Sequence, residues 1–287
     1  MITVALPNKG RLSDNALTLF ERAGLRAEFT SKRALFADMG PDFRAILVRA
    51  ADVPEFVADG AADVGVTGAD LVAESGREVE TLLDLGFGRC RLAVAVPDVS
   101  GIETLAQVPP GSRVATSFPR IAKSFFDRAG IPIELVRVSG AAEITPHLGV
   151  ADVIVDLVST GSTLQVNGLH EVETVLESTA RLIVSRTASE DPARRPALED
   201  LSAALESVLR AESKRYLMAN VPRDRIDELK QVLPGISGPT IVDVLQGGSW
   251  VAAHAVVDEE LVFQTIAGLK RLGAEGILVT RIERLMP

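Results

Sequence analysis

The amino-acid sequence predicts an α/β protein: two similar lobes in succession, then a small C-terminal domain of βαββαβ order. Three observations carry this. Short apolar strands alternate with amphipathic helices from the first residues onward, the rhythm of α/β domains. A strand–turn–helix pattern at the start of the chain recurs in its middle, as repeated lobes require. Beyond residue 211 the pattern reads strand, helix, strand, strand, helix, strand, the ferredoxin-like arrangement.

In the first lobe, residues 2–6 form an apolar strand and Pro7-Asn8-Lys9-Gly10-Arg11 a polar turn. Ser13 or Asp14 caps a helix carrying Ala16, Leu17, Leu19 and Phe20, which Ala23-Gly24 ends. A strand over 43–49, a short helix over 54–60 and a strand over 62–66 follow, the last opening onto Thr67-Gly68-Ala69-Asp70. Around 89–96 a strand leaves this lobe, and 97–110 is turn-rich with a short helix near 102–106.

The opening pattern then returns. Val4-Ala5 and Phe20-Glu21-Arg22-Ala23-Gly24-Leu25 are matched by Val114-Ala115 and Phe126-Asp127-Arg128-Ala129-Gly130-Ile131. Gly60-Ala61-Ala62-Asp63-Val64-Gly65-Val66 is matched by Gly149-Val150-Ala151-Asp152-Val153-Ile154-Val155. The expected organisation is lobe I over 1–90, lobe II over 91–179, a return to lobe I over 180–210, and a C-terminal domain over 211–287. Strands over 171–178 and 180–185 are read as returning towards lobe I, 187–196 as a loop, and 198–212 as a helix with Leu198, Leu201, Leu205, Val208 and Leu209 on one stripe. Ligands in such folds bind at the carboxyl ends of strands, here facing a cleft between the lobes.

In the C-terminal domain, residues 215–219 read as a strand and Pro222 opens a helix to Leu233. Strands over 240–245 and 250–257 flank Gly247-Gly248, Asp258 caps a helix over 260–272, and 276–281 is the last strand. By analogy, a domain of this kind is regulatory or oligomer-forming.

Composition narrows the function classes. The net charge of -9 argues against nucleic-acid binding, and no apolar run is long enough to span a membrane. Cys90 has no partner within the chain, which excludes a disulfide framework, and three His with one Cys leave little room for a transition-metal site. The start reads as a strand rather than a signal peptide, so the protein is expected in the cytoplasm.

The stretch Asp156-Leu157-Val158-Ser159-Thr160-Gly161-Ser162-Thr163-Leu164 carries the most chemistry. It reads as a strand end, a hydroxyl-rich glycine turn and a helix start. Hydroxyls and backbone N–H groups presented this way suit an anion, phosphate above all. Asp156 is placed to meet a cation or a sugar hydroxyl. An ordinary turn with a Ser/Thr cap is the other reading of these residues.

Taken together, Val4-Ala5-Leu6-Pro7-Asn8-Lys9-Gly10-Arg11-Leu12, Asp63 to Val72, Leu85-Gly86-Phe87-Gly88, Gly140-Ala141-Ala142-Glu143-Ile144 and Asp156 to Leu164 resemble the long form of ATP phosphoribosyltransferase. Ser237-Gly238-Pro239-Thr240-Ile241 and Gly273-Ala274 resemble the regulatory domain that the short form lacks. The resemblance covers essentially the whole chain. It implies a two-lobed, periplasmic-binding-protein-like catalytic core and the first reaction of histidine biosynthesis: ATP and phosphoribosyl pyrophosphate give 1-(5-phosphoribosyl)-ATP and pyrophosphate, with Mg²⁺.

The same resemblance implies roles. Ser159, Thr160, Gly161, Ser162 and Thr163 hold the 5-phosphate. Asp156 holds ribose hydroxyls or Mg²⁺, and Glu143 lies beside the ribose. Lys9 and Arg11 meet the pyrophosphate or triphosphate, and Arg49 and Asp70 join them around the nucleotide. Asp152, four residues before Asp156, shares its strand side by spacing. No general base is required, because adenine N1 is already unprotonated at neutral pH, and His147 is left outside the chemistry. Histidine and AMP are the expected inhibitors, with Asn220, Ser237, Thr240 and Ala274 around the histidine, and dimers assembling into hexamers. Some relatives carry Asp where this chain has Asn220, so another group must meet the amino group of histidine or binding weakens. A two-lobed binding protein, a phosphate-sensing regulator and a phosphoribosyltransferase for another base are the rival readings. The last lacks its usual acidic pair here, since Val155 precedes Asp156.

Overall fold

The computed structural model describes residues 1–29, 31, 34–236, 238–244 and 248–286. The chain divides into two compact units, one of Met1–Glu21 with Leu25–Ser202 and one of Arg22–Gly24 with Ala203–Pro287.

The first unit begins with β1 (Ile2–Pro7), α1 (Gly10–Arg22), β2 (Glu28–Phe29), β3 (Phe36–Asp38), β4 (Phe43–Val48), α2 (Val53–Ala58), β5 (Val64–Gly68), α3 (Ala69–Ser75) and β6 (Glu80–Asp84). There follow β7 (Cys90–Pro97), β8 (Ser112–Thr116), α4 (Pro119–Ala129), β9 (Ile133–Arg137), β10 (Val153–Val158), α5 (Ser162–Val166) and β11 (Leu169–Ser178). Then come β12 (Ala180–Val184), α6 (Arg186–Glu190) and α7 (Arg195–Glu212). One sheet has the order β2-β3-β4-β1-β5-β12-β6 and the other β11-β7-β10-β8-β9. Two α/β sheets joined by two chain crossings make the two-lobed, periplasmic-binding-protein-like core.

Every residue of β1 is buried, as a parallel strand covered on both faces requires. β1 runs parallel to both β4 and β5, so the carboxyl ends of the three strands lie together. In the second sheet, β8 runs parallel to β9 and β10, and β7 is antiparallel to β10.

The repeat read from the sequence extends to atomic detail. α1 and α4 both end in a left-handed glycine, Gly24 at φ +85° and Gly130 at φ +70°. In both, the residue after that glycine closes the helix: Leu25 N donates to Phe20 O at 2.8 Å and Ile131 N to Phe126 O at 3.0 Å, the 6→1 bond of a Schellman motif. Phe20 and Phe126 are completely buried.

Several elements differ from expectation. α1 starts at Gly10, so Ser13 is a buried helical residue rather than a cap. β11 does not return to the first sheet; it pairs with β7 in the second. β12 does return, pairing with β5 and β6, and Thr179 alone joins the two strands. The segment read as a loop holds α6, whose cap Ser185 accepts a bond from Ala188 N at 3.1 Å. The short strands β2, β3 and β6 gave no apolar run to read: each is partly exposed.

In the second unit, β13 (Lys214–Pro222), α8 (Ile226–Val232), β14 (Thr240–Asp243), β15 (Trp250–Asp258), α9 (Val262–Arg271) and β16 (Glu275–Arg281) form a sheet of order β14-β15-β13-β16, the ferredoxin-like arrangement. Val221, Leu229, Leu233, Val251 and Leu269 are fully buried between this sheet and α8 and α9. Pro222 ends β13 instead of opening a helix, and a single turn over Arg223–Arg225 precedes α8. The Asp258 carboxylate binds Lys214 rather than capping α9. The expected strand end at Leu245 lies outside the described residues. Among the described residues no helix is long and apolar enough to cross a membrane.

Candidate active site

The predicted anion loop is at the carboxyl end of β10. Ser159 and Thr160 are exposed, and Gly161 turns the chain at φ +81°, a conformation that suits glycine. α5 then begins at Ser162, anchored by buried Leu164. The Thr160 and Ser162 hydroxyls are 3.0 Å apart, and Thr163 is exposed beside them. The loop thus presents hydroxyls and a chain-turn glycine towards solvent, with the apolar half of α5 holding it to the sheet.

Asp156 lies two residues before the strand end, opposite Ala93 of β7. Ala93 packs in one apolar cluster with Ala142, Val158 and Leu164, so Asp156 is on the sheet face that α5 covers. Burial pushes its carboxyl above the ordinary aspartate value; the Leu157 N–H opposes this at 2.8 Å, and the charge of Glu143 adds to it. Glu143 is half-buried in the single turn Ala142–Ile144. The residue before that turn, Ala141, is left-handed at φ +51°, a strained conformation of the kind that clusters at functional sites. The two carboxylates named from the sequence are therefore brought together.

Lys9 and Arg11 are exposed where β1 ends and α1 begins, and Arg49 is exposed directly after β4. Asn8 N donates to Val48 O at 2.8 Å, which holds these two strand ends side by side. The three cations thus gather at the carboxyl edge of the first sheet. His147 is engaged with the backbone after α5, its Nε2 2.7 Å from Asn167 O.

Two expectations are corrected. Asp152 stands immediately before β10, which begins at Val153, four residues from Asp156 and away from the loop. Its carboxylate is held at the amino end of the strand by Arg113, through the backbone N at 2.9 Å and Nη2 at 2.7 Å, and the guanidinium draws its carboxyl below the usual aspartate value. That is the end of the sheet away from the loop. Asp70 is 5% exposed; Ser178 Oγ donates to its Oδ1 at 2.5 Å, and its own N–H donates to Ser178 Oγ at 3.1 Å. It ties α3 to the end of β11 rather than standing free for a nucleotide.

Between the sheets, where the chain crosses, lies a cavity of about 390 Å³. Among the described residues Ser159 is the only sequence-predicted site residue in its lining, which also includes Arg89, Arg91, Arg181, Asp84 and Glu177. Arg181 pairs with Asp84. Burial raises the Asp84 carboxyl, but bonds from Gly86 N–H, Thr179 and Arg181 outweigh it and leave the value lowered. Burial and the Asp70 charge raise the Cys90 thiol, against a bond to Ser178. Sequence reasoning missed these arginines; their signal was basic residues at both crossings between lobes.

In the second unit, Asn220 lines a cavity of about 320 Å³ with Trp250 and Glu275. Asn220 and Glu275 are opposite one another on β13 and β16, and Ala274 immediately precedes Glu275, packed against the apolar cluster. Thr240 opens β14 opposite His254 and does not line the cavity. Ser237 lies outside the described residues.

A two-lobed α/β core with a hydroxyl-rich loop at its strand ends, fused to a ferredoxin-like domain, defines a protein of the periplasmic-binding-protein-like class with an added C-terminal domain. The ATP phosphoribosyltransferase family model matches residues 49–207, and the model of that family's C-terminal domain matches 211–284. The chain is 58% identical to the ATP phosphoribosyltransferase of Gemmatimonas aurantiaca over 100% of both chains, and 50% identical to that of Haloarcula marismortui over 99% of both. The ATP phosphoribosyl transferase (HisG:HisZ) complex from Thermotoga maritima matches with a TM-score of 0.65 at 25% identity, over 74% of this chain and 100% of that one. The chain belongs to the ATP phosphoribosyltransferase family and, with its C-terminal domain, to the long form.

Proposed function

We propose that the loop from Asp156 to Thr163 holds the 5-phosphate of phosphoribosyl pyrophosphate while the cations at the first sheet's edge receive the phosphates of the nucleotide and the leaving group. The reaction is that of the family: N1 of ATP bonds to C1 of the ribose as the C1–O bond to pyrophosphate breaks. It is the first step of histidine biosynthesis. The placement of Asp156 at the foot of this loop, on the sheet face that Ala142 and Leu164 cover, carries the reading.

The chemistry asks for charge in two places. C1 gains positive character as pyrophosphate leaves, and Glu143 and Asp156 supply negative charge beside the sugar. Lys9, Arg11 and Arg49 offset the growing charge on the departing pyrophosphate. Adenine N1 carries no proton at neutral pH, so the protein needs no general base. Positioning and fixed charge supply the acceleration.

The residues fit Mg²⁺. Among the described residues no cluster of three acidic, His or Cys ligands occurs, but Mg²⁺ is commonly held by one or two carboxylates together with substrate phosphates. Asp156, desolvated and beside Glu143, is the side chain for it. When bound, the ion offsets charge on the pyrophosphate. In the second unit, histidine occupies the Asn220–Glu275 region as feedback inhibitor, AMP competes at the nucleotide site, and dimers assemble into hexamers. Residues 1–90 with 180–210 and residues 91–179 act as the catalytic lobes, and 211–287 as the regulatory domain.

Pyrophosphate release on mixing ATP with phosphoribosyl pyrophosphate tests the reading. Replacing both Ser162 and Thr163 by Ala removes hydrogen bonds to a charged group, each worth about 1.5–3 kcal/mol. The KM for phosphoribosyl pyrophosphate is expected to rise tenfold or more while that for ATP changes little. An unchanged KM overturns the loop's assignment.

A further inference from the structure

The anion loop is tied down from beneath by an ion pair that neither the sequence pattern nor the reaction calls for. Arg91 Nε donates to Glu171 Oε2 at 2.7 Å, and Arg91 Nη2 donates to Glu171 Oε1. The remaining nitrogen, Nη1, donates to the carbonyl of Ser159 at 3.3 Å. One guanidinium therefore joins three neighbouring strands: its own β7, the start of β11, and the loop leaving β10. A Cβ added to Gly161 would lie 3.5 Å from Glu171 Oε1, so the carboxylate sits directly against the turning point of the loop.

The pair is not an incidental cross-strand contact. In the ladder, Arg91 faces Glu177 on β11, whereas Glu171 faces Ala95. The Arg91 side chain runs along the sheet past Ala93 to reach it. Ala93 and Ala95 are both 1% exposed, and their small side chains leave that path open. This is the same sheet face that carries Asp156 and is covered by Leu164 of α5. Arg91 and Glu171 are themselves 33% and 27% exposed, enough shielding for a forked guanidinium–carboxylate pair to hold a fixed geometry.

We infer that Arg91 and Glu171 are positioning residues: together they fix the Ser159 carbonyl and the Gly161 turn, and so hold the loop hydroxyls in the arrangement that receives the 5-phosphate. The inference rests on the loop being the phosphate site. Lysine at position 91 cannot replace the arginine, because one ammonium does not span Glu171 and the Ser159 carbonyl as a planar fork does.

The test is a double-mutant cycle on the full chain, with KM for each substrate, kcat and thermal midpoint measured for Arg91→Met, Glu171→Ala, the double variant and Arg91→Lys. Met keeps the apolar stem, so folding is preserved while the fork is lost. The expected result is a tenfold or larger rise in KM for phosphoribosyl pyrophosphate in both single variants, with KM for ATP within twofold. The double variant should be no worse than the worse single one, since both act as a unit, and Arg91→Lys should recover only a small part. Losses that multiply in the double variant would show Arg91 meeting substrate by itself and overturn the pairing. Unchanged KM values, or equal rises for both substrates with a lowered thermal midpoint, also overturn it. The Ser162/Thr163 variant separates the two claims: if it raises KM for phosphoribosyl pyrophosphate and Arg91→Met does not, the clasp fails and the phosphate loop stands. If neither does, the loop assignment itself fails.

Discussion

Asp63 and Asp152 do the same work in successive lobes. Asp63 Oδ2 accepts from Thr3 N at 2.7 Å while Asp63 N donates to Thr3 O at 2.9 Å. Asp152 Oδ2 accepts from Arg113 N at 2.9 Å while Asp152 N donates to Arg113 O at 2.9 Å. Each aspartate locks the start of one parallel strand to its neighbour, and each pairs with an arginine, Arg194 and Arg113. The residue that spacing placed beside the ligand is a structural counterpart of one in the other lobe.

Asp152→Ala should leave both KM values unchanged and lower stability by about 1 kcal/mol, the carboxylate being half exposed. Its folded-state carboxyl is held below the usual aspartate value, so the unfolded chain binds the proton more readily. Its contribution is therefore present above the ordinary aspartate value and fades as pH falls towards the lowered one. Denaturation curves of both proteins across that acid window should converge.

Asp156 has the opposite sign. Burial raises its folded-state carboxyl, so folding is favoured while the group is protonated, and stability falls as pH rises from the ordinary aspartate value through the raised one. Asp156→Asn is expected to raise the thermal midpoint at neutral pH and to lower kcat at least tenfold. Equal midpoints for the two proteins at pH 7 would contradict this.

Phe20→Ala and Phe126→Ala remove equivalent buried rings, each costing about 3–5 kcal/mol. The chemical denaturation of the first unit should report comparable losses for both. A near-neutral effect at either position would mean that its lobe collapses around the cavity.

Glu275 faces Asn220, and on the proposed reading of this cavity it is the carboxylate that meets the amino group of histidine in place of an aspartate. Glu275→Gln should weaken inhibition by histidine about tenfold, leaving activity without histidine unchanged. Asn220→Ala should weaken it less. The converse order would return the principal role to Asn220.

The repeat, the glycine turn between β10 and α5 and the order of the C-terminal domain were legible because each lies in a contiguous stretch with a strong local pattern. What was not legible depends on distant partners. The pairing of Asp70 with Ser178 spans 108 residues, and that of Arg91 with Glu171 spans 80; no local periodicity announces either. Asp152 shows the limit of a spacing argument. Spacing says which side of a strand two residues share but not which end carries the loop, and Asp152 is at the amino end of β10 while the loop leaves its carboxyl end. The short strands were missed for a related reason: β2 and β6 lie at the sheet's edges, β3 pairs with the edge strand β2, and all three carry few buried residues to read.

Thr179, the single residue between β11 and β12, has a mechanical consequence. Its neighbours belong to different sheets, yet the backbone between them spans only about two Cα steps of 3.8 Å. Ala180 N donates to Phe87 O at 2.9 Å, and Leu85 N donates to Ala180 O at 2.9 Å, so the other crossing is stitched to this one. The sheets have no slack to slide or separate there. Gly86 and Gly88, left-handed at φ +72° and φ +66°, flank Phe87 in that other crossing. The arginines that line the cavity, Arg89, Arg91 and Arg181, lie beside these two joined crossings.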